Sequence, residues 1–240
     1  MAKLKLLRNS KSFLSIVVVA AGSSERMGFD KTFANLAGRT VIEHSLSTFQ
    51  KCNIVNELVV VVKTEDLPRA SDICKKYDKV KKVVCGGAKR LDSVLAGVTE
   101  TEQSASLIGV HDGARPLVSE QEIVRTAELA LKYRAAIPAL QVSDTIKKAD
   151  SDGRVTGTPM RSELYAVQTP QVFDSDILKG ALAKAVLENA EVTDDSMAVE
   201  RLGLPVYLSE GSAENIKLTR PIDFIIAEVI LERNENRTRI

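Results

Sequence analysis

The sequence predicts an α/β protein, a doubly wound and mostly parallel sheet with helices on both faces and one hairpin arm leaving it. Three observations predict this. Short β-branched runs such as residues 16–19 and 58–62 lack polar alternation, as strands buried on both faces do. Amphipathic stretches of helical period separate them, for example Val41, Ile42, Ser45, Leu46 and Phe49. At about residue 141 the pattern changes to alternation around Asp150-Ser151-Asp152-Gly153, where Asp-Gly signals a hairpin.

The first strand, 16–19, runs into Ala20-Ala21-Gly22-Ser23-Ser24, a turn nearly stripped of side chains. Backbone N–H groups in such a turn face a ligand unscreened, which is how phosphate cradles are built. Arg26 and Lys31 follow as two fixed cations. The turn matches neither of two common nucleotide motifs. A dinucleotide fingerprint needs Gly at position 24, where Ser stands, and a P-loop needs four residues between its glycines, where five separate Gly22 from Gly28. On spacing alone an ordinary strand-to-helix turn remains an alternative.

The helix around Leu46 carries Glu43 and His44 between its apolar positions, and these read as a solvated face. Residues 58–62 form the second strand. Residues 66–77 form a helix with Pro68 tolerated in its first turn. Val83-Val84-Cys85 is a third strand ending at Gly86-Gly87. Residues 107–110 are a fourth, running into His111-Asp112-Gly113-Ala114-Arg115-Pro116. Ser119 and Glu122 make a capping box for a helix reaching about Tyr133, and 136–140 begins a fifth strand. The excursion at 142–148 and 154–158 cannot be stable alone, so it is expected to pack on another surface, such as a second subunit. Residues 164–172 return to strand-like sequence. A helix at 174–188, another opened by Thr193-Asp194-Asp195, a last strand at 206–208 and a final helix at 221–233 complete the chain. The whole, 1–240, reads as one domain with an arm at about 141–162.

Composition excludes several classes. A net charge of +1 leaves no global field for nucleic acid or a membrane surface. Aromatic residues are 4% with no Trp, which argues against stacking platforms for single strands. Three cysteines without a C-x-x-C pair read as buried free thiols in a reducing compartment, the cytoplasm. With only His44 and His111, a His/Cys metal cage is disfavoured, and a metal would be held by carboxylate and phosphate. Lys3, Lys5, Arg8 and Lys11 around Leu4, Leu6 and Leu7 read as a solvated leader rather than a signal peptide, with a short organellar address as the alternative.

Four stretches fall at predicted carboxyl ends of parallel strands: 20–31, 86–93, 111–116 and Thr169-Pro170-Gln171. Ligands of open α/β sheets bind along that edge. Asp112 beside phosphate-binding cations fits Mg²⁺, which takes one or two carboxylates plus substrate phosphates. Arg26, Lys31, Arg115 and Lys217 can balance phosphate charge, and phosphoryl-type transfer asks mainly for positioning and electrostatics.

In this order the motifs resemble those of the 2-C-methyl-D-erythritol 4-phosphate cytidylyltransferase family. The resemblance rests on Ala20-Ala21-Gly22 with Arg26-Met27 and Lys31; Gly86-Gly87 with Arg90 and Asp92-Ser93-Val94; Val110 to Pro116; Asp144-Thr145; Gln168 to Gln171; Thr193-Asp194-Asp195; and Gly211 with Asn215 to Pro221. It spans nearly the whole chain from about Ser15. It implies a Rossmann-like nucleotidyltransferase fold, a homodimer, a divalent cation, and transfer of a cytidylyl group from CTP with release of pyrophosphate. By match, Ala20, Ala21, Gly22, Gly87, Ser93 and Gly113 hold the nucleotide and Asp112 binds Mg²⁺. Arg26, Lys31 and Lys217 surround the α-phosphate. Arg115, Arg161, Thr169, Thr193 and Lys217 receive the sugar phosphate, Arg161 from the partner's arm. Four residues separate Arg26 from Lys31, a compact form more like molybdenum-cofactor guanylyltransferases. The rival readings are a ribitol 5-phosphate cytidylyltransferase and, from another class, a nucleotide-binding regulatory protein without catalysis.

Overall fold

A computed structural model describes residues 12–22 and 30–238 of the chain. β1 (Leu14–Val19) is followed by a small hairpin, β2 (Asn35–Leu36) and β3 (Arg39–Thr40), which leads into α1 (Val41–Lys51). Strands and helices then alternate: β4 (Val55–Val62), α2 (Leu67–Cys74), β5 (Val80–Cys85), α3 (Arg90–Thr99), β6 (Leu107–Asp112), α4 (Glu120–Tyr133) and β7 (Ala135–Gln141). The arm carries β8 (Lys148–Ala149) and β9 (Val155–Gly157), and the chain returns through β10 (Tyr165–Val167) and β11 (Gln171–Asp174). The remainder is α5 (Ser175–Leu187), α6 (Asp195–Glu200), β12 (Tyr207–Glu210) and α7 (Pro221–Thr238).

Eight strands form one sheet in the order β5-β4-β1-β6-β11-β7, with β12 and β10 also paired to β7. β1 lies parallel to both β4 and β6. From β1 the chain moves outward to β4 and β5, then crosses back to β6. The switch point between β1 and β6 is where an open α/β sheet leaves a crevice at its carboxyl edge. Pleating sorts the apolar side chains onto two faces. Ile16, Val18, Leu58 and Val60 pack with Leu46 and Phe49 of α1 and Ile123 of α4, while Val17, Val59 and Val61 pack with Val94 of α3 and Leu178 and Leu182 of α5.

Several expectations change. Residues 142–147 are not strand, and the arm hairpin is reduced to β8 and β9, because Ile146 and Val155 are exposed and the ribbon has no sheet face to bury. Thr169-Pro170-Gln171 does not end a parallel strand. β10 and β11 both run antiparallel to β7, so the start of β11 reaches the same edge as the end of β6. Glu43 and His44 are buried rather than solvated: Glu43 closes a capping box with Thr40 and pairs with Lys76, and His44 Nε2 bonds the Leu36 carbonyl. Cys52 and Cys74 are buried as expected, but Cys85, at the end of an outer strand, is exposed. The Lys3 to Lys11 leader lies outside the described residues, as do Ser23 and Ser24. Among the described residues no helix is long and apolar enough to cross a membrane.

Candidate active site

Strand register builds the site. Val19 stands opposite Asp112, and Gly113 N–H donates to the Val19 carbonyl at 2.8 Å. A Cβ on Gly113 would lie 3.1 Å from that oxygen and 3.2 Å from Ala20 Cβ. On the other flank Gly86 N–H donates to the Val62 carbonyl at 2.7 Å, and a Cβ there would come within 2.5 Å of Ala21 Cβ. Small residues are therefore required on both sides of the Ala20-Ala21-Gly22 turn, which brings three backbone segments together. Ser93 is buried, and its hydroxyl accepts from Gly87 N–H at 3.1 Å, fixing the second glycine loop at the start of α3.

Asp112 is the acid of this edge, with a side chain 14% exposed. Lys217 Nζ lies 2.8 Å from its Oδ2, Arg115 Nε 3.8 Å from the same oxygen, and Arg90 Nη2 3.6 Å from Oδ1. Burial alone would raise its pKa. The charges of Lys217, Arg90 and Arg115 outweigh burial and hold it below the usual carboxylate range, so Asp112 is an anion at neutral pH.

Two buried polar side chains pin the neighbouring loops. Asn215, fully buried, donates through Nδ2 to Glu122 Oε1 and to the Thr169 carbonyl, each at 3.0 Å. Leu218 N–H donates to the Ala114 carbonyl, which sets Lys217 over Asp112. Arg115 is committed inward. Its Nη1 donates to the Asn215 carbonyl at 2.7 Å and its Nη2 to the Val167 carbonyl at 3.3 Å.

Thr169 and His111 form a buried chain of hydrogen bonds beside Asp112. His111 Nε2 lies 3.1 Å from the Arg115 carbonyl, which only accepts, so Nε2 carries the proton. Nδ1 then accepts from the Thr169 hydroxyl at 3.0 Å, and the same hydroxyl accepts from Asp112 N–H at 3.1 Å. His111 is fully buried, and burial lowers its pKa from 6.5 to about 4. The unfolded chain therefore binds a proton that the folded chain refuses. The stabilisation is complete above about pH 6.5 and falls away towards pH 4, by at most roughly 3 kcal/mol. Denaturant midpoints at pH 7.5, 6 and 5 in metal-free buffer should fall for the wild type, and more steeply than for His111→Gln. Equal slopes for the two proteins would contradict the buried neutral imidazole.

Arg90, the first residue of α3, forks onto Asp195 at 2.9 and 2.8 Å across 105 residues of sequence. Gln171 Oε1 accepts from the N–H groups of Asp195 and Ser196, and Gln171 Nε2 donates to Asp194, the cap of α6. Exposed Thr193 is thereby held close to the glycine loop, across a cleft of about 600 Å³ bordered by Lys89 to Asp92 and Asn189 to Thr193.

The fold thus gathers Ala20, Ala21, Gly22, Gly87, Ser93, Asp112, Gly113, Arg115, Thr169 and Lys217 along one edge, with Thr193 beside it. Lys31 is half-buried just after the first loop, and Arg26 lies outside the described residues. Arg161 is exposed on the arm, its Nη1 bonded to the Ser143 carbonyl. The sequence left Arg90, Gln171, Asn215 and Asp195 without roles at the site, marking them only by their places in the motifs, and it gave Glu122 only its capping box with Ser119. Among the described residues no cluster of three or more His, Cys, Asp or Glu could hold a metal. A cation here would rest on one carboxylate and on a substrate's own phosphates, which suits Mg²⁺.

An edge of backbone donors, one fixed anion and several cations suits phosphate-bearing substrates. The chain is similar to known proteins along most of its length. The family profile for IspD, 2-C-methyl-D-erythritol 4-phosphate cytidylyltransferase, matches residues 14–233. A curated 2-C-methyl-D-erythritol 4-phosphate cytidylyltransferase of Caldanaerobacter subterraneus subsp. tengcongensis is 38% identical over 225 residues, covering 92% of this chain and 99% of its own. One from Alkaliphilus metalliredigens is 40% identical over 230 residues, covering 94% and 95%. The crystal structure of 4-diphosphocytidyl-2C-methyl-D-erythritol synthase from Anaerococcus prevotii aligns with a TM-score of 0.83 at 32% identity, over 93% of this chain and 100% of that one. Sequence and overall structure match along nearly the full length, and the chain belongs to the 2-C-methyl-D-erythritol 4-phosphate cytidylyltransferase family.

Proposed function

We propose that this nucleotidyltransferase joins the cytidylyl group of CTP to 2-C-methyl-D-erythritol 4-phosphate at the β1–β6 edge, releasing pyrophosphate, in non-mevalonate isoprenoid precursor synthesis. The observation that carries the residue assignments is Asp112, facing Arg90, Arg115 and Lys217 beside the small-residue loop. Ala20, Ala21, Gly22, Gly87, Ser93 and Gly113 hold the nucleotide. An oxygen of the acceptor phosphate attacks the α-phosphorus in line, the bond to the bridging oxygen of the β-phosphate breaks, and pyrophosphate leaves. A phosphate monoester is mostly dianionic at pH 7, so the attack needs no general base. That agrees with His111 being buried, neutral and used up by its two hydrogen bonds. Arg26, Lys31 and Lys217 offset the charge that grows at the α-phosphate. Mg²⁺, when bound through Asp112 and the triphosphate, supplies charge neutralisation of the leaving group. Thr193 and Lys217 receive the acceptor on one side, with Arg115 and Thr169 shaping its pocket from behind.

The active unit is a homodimer of single-domain chains in the cytoplasm. Its support is apolar surface left open on a chain with a projecting arm: Val155 and Met160 on the arm, and Ile222, Ile225, Ile226 and Val229 at helical spacing along one face of α7. Arg161 reaches the partner's site from that arm.

Pyrophosphate release, measured over four nucleotides and two acceptors, tests the reading. Low aromatic content leaves base recognition to backbone groups, so kcat/KM for CTP should exceed that for ATP and GTP by at least about 10²-fold, the discrimination hydrogen-bond readout can deliver. The methylerythritol phosphate should be preferred over ribitol 5-phosphate. Comparable efficiency with GTP would point to guanylyl transfer through the compact Arg26 to Lys31 loop.

A further inference from the structure

Arg90 sits between two carboxylates that come from different segments. Both arms of its fork are spent on Asp195, at 2.9 and 2.8 Å, and the Nη2 nearer to Asp112 stops 3.6 Å from Oδ1, beyond hydrogen-bond length. The two oxygens of Asp112 are consequently unlike. Oδ2 faces Lys217 at 2.8 Å and Arg115 Nε at 3.8 Å, while Oδ1 has Arg90 Nη2 at 3.6 Å. Asp195 is itself 1% exposed and cannot drift, because Gln171 at the head of β11 accepts from its N–H and from that of Ser196.

We propose that Asp195 is a positioning residue: it holds the Arg90 guanidinium back from Asp112 and so keeps Oδ1 open to a divalent cation. The proposal rests on the reading of Asp112 as the cation's protein ligand. Without the Asp195 charge, the half-buried guanidinium has one strong acceptor within about an ångström of movement. It then closes both oxygens of Asp112 with cationic partners. The brace also ties three segments that face substrates: the glycine loop at the head of α3, the end of β6, and the Thr193 turn.

The test is Mn²⁺ binding, read by electron paramagnetic resonance on the full-length protein with an α,β-methylene analogue of CTP. Asp195→Asn should weaken Mn²⁺ binding by about 10- to 100-fold, the usual size of an outer-shell effect on a metal. The double variant Arg90→Gln with Asp195→Asn removes the competing cation as well, and should bind Mn²⁺ within about threefold of wild type. A neutral pair in place of a buried ion pair is commonly tolerated by the fold. Restoration by a second substitution is what a merely structural role for Asp195 would not give. Wild-type affinity in Asp195→Asn, or a double variant as weak as the single one, overturns the proposal. Should Asp195→Asn not fold, Arg90→Lys replaces it. An ammonium cannot fork and shares itself with Asp112, so Mn²⁺ should again bind more weakly, and unchanged affinity overturns the proposal. Asp112→Asn separates the two readings. If it binds Mn²⁺ like the wild type, the metal assignment falls and the proposal with it. If it weakens Mn²⁺ while Asp195→Asn does not, only the proposal falls.

Discussion

Asp112→Asn is expected to fold like the wild type and to lose roughly 10²–10³ in kcat, the usual loss for removing one preorganised electrostatic partner. The fold should survive because the backbone at this position is held independently, by pairing with Val19 and by the bond from its N–H to Thr169. The loss should appear in kcat rather than in KM for CTP. Lys217, Arg90 and Arg115 would remain around the site with one negative charge fewer among them, so a triphosphate should bind at least as well. Steady-state kinetics in saturating Mg²⁺, with circular dichroism to monitor the fold, make the measurement. Near-normal turnover would remove Asp112 from the reaction.

Arg161→Ala and Lys217→Ala homodimers should each be nearly inactive, and mixing them should restore activity. Lys217 stands over Asp112 within its own chain, whereas Arg161 is exposed on the arm. A guanidinium offers a planar fork for a phosphate, which an arm passing into a second subunit can deliver. If it does, a heterodimer holds one site with both defects and one with neither. Subunit exchange should then recover about half the wild-type rate per heterodimer, given independent sites. Exchange verified by mass spectrometry without recovery would refute the shared site, and so would a fully active monomer.

Local rules sufficed for most elements of this fold. The unbroken valine-rich runs became β1 and β4, the Ser119 and Glu122 box opened α4, and Asp174 and Asp194 capped α5 and α6 where the sequence placed helix starts. Those signals act over a few residues, within the reach of propensity and capping. The order of the motifs also marked which loops crowd one sheet edge, because parallel strands all deliver their carboxyl ends to the same side. What the sequence misjudged depended on partners far along the chain. Glu43 read as solvated until Lys76, 33 residues on, paired with it, and the strand-like stretch after the arm split into β10 and β11 once both paired antiparallel with β7; the capping box of Glu43 with Thr40 was a local signal that the sequence reading missed. The electrostatics of the site were likewise invisible in one dimension. Only tertiary packing brings Lys217 and Arg90 to Asp112, commits Arg90 to Asp195 across 105 residues, and buries His111 between Thr169 and Arg115. The sequence by itself determined most of the elements and the family, and it pointed to the sheet edge where we propose the chemistry takes place. The tertiary structure decided which charge neutralises which, because that depends on distance and burial, and neither is a function of spacing along the chain.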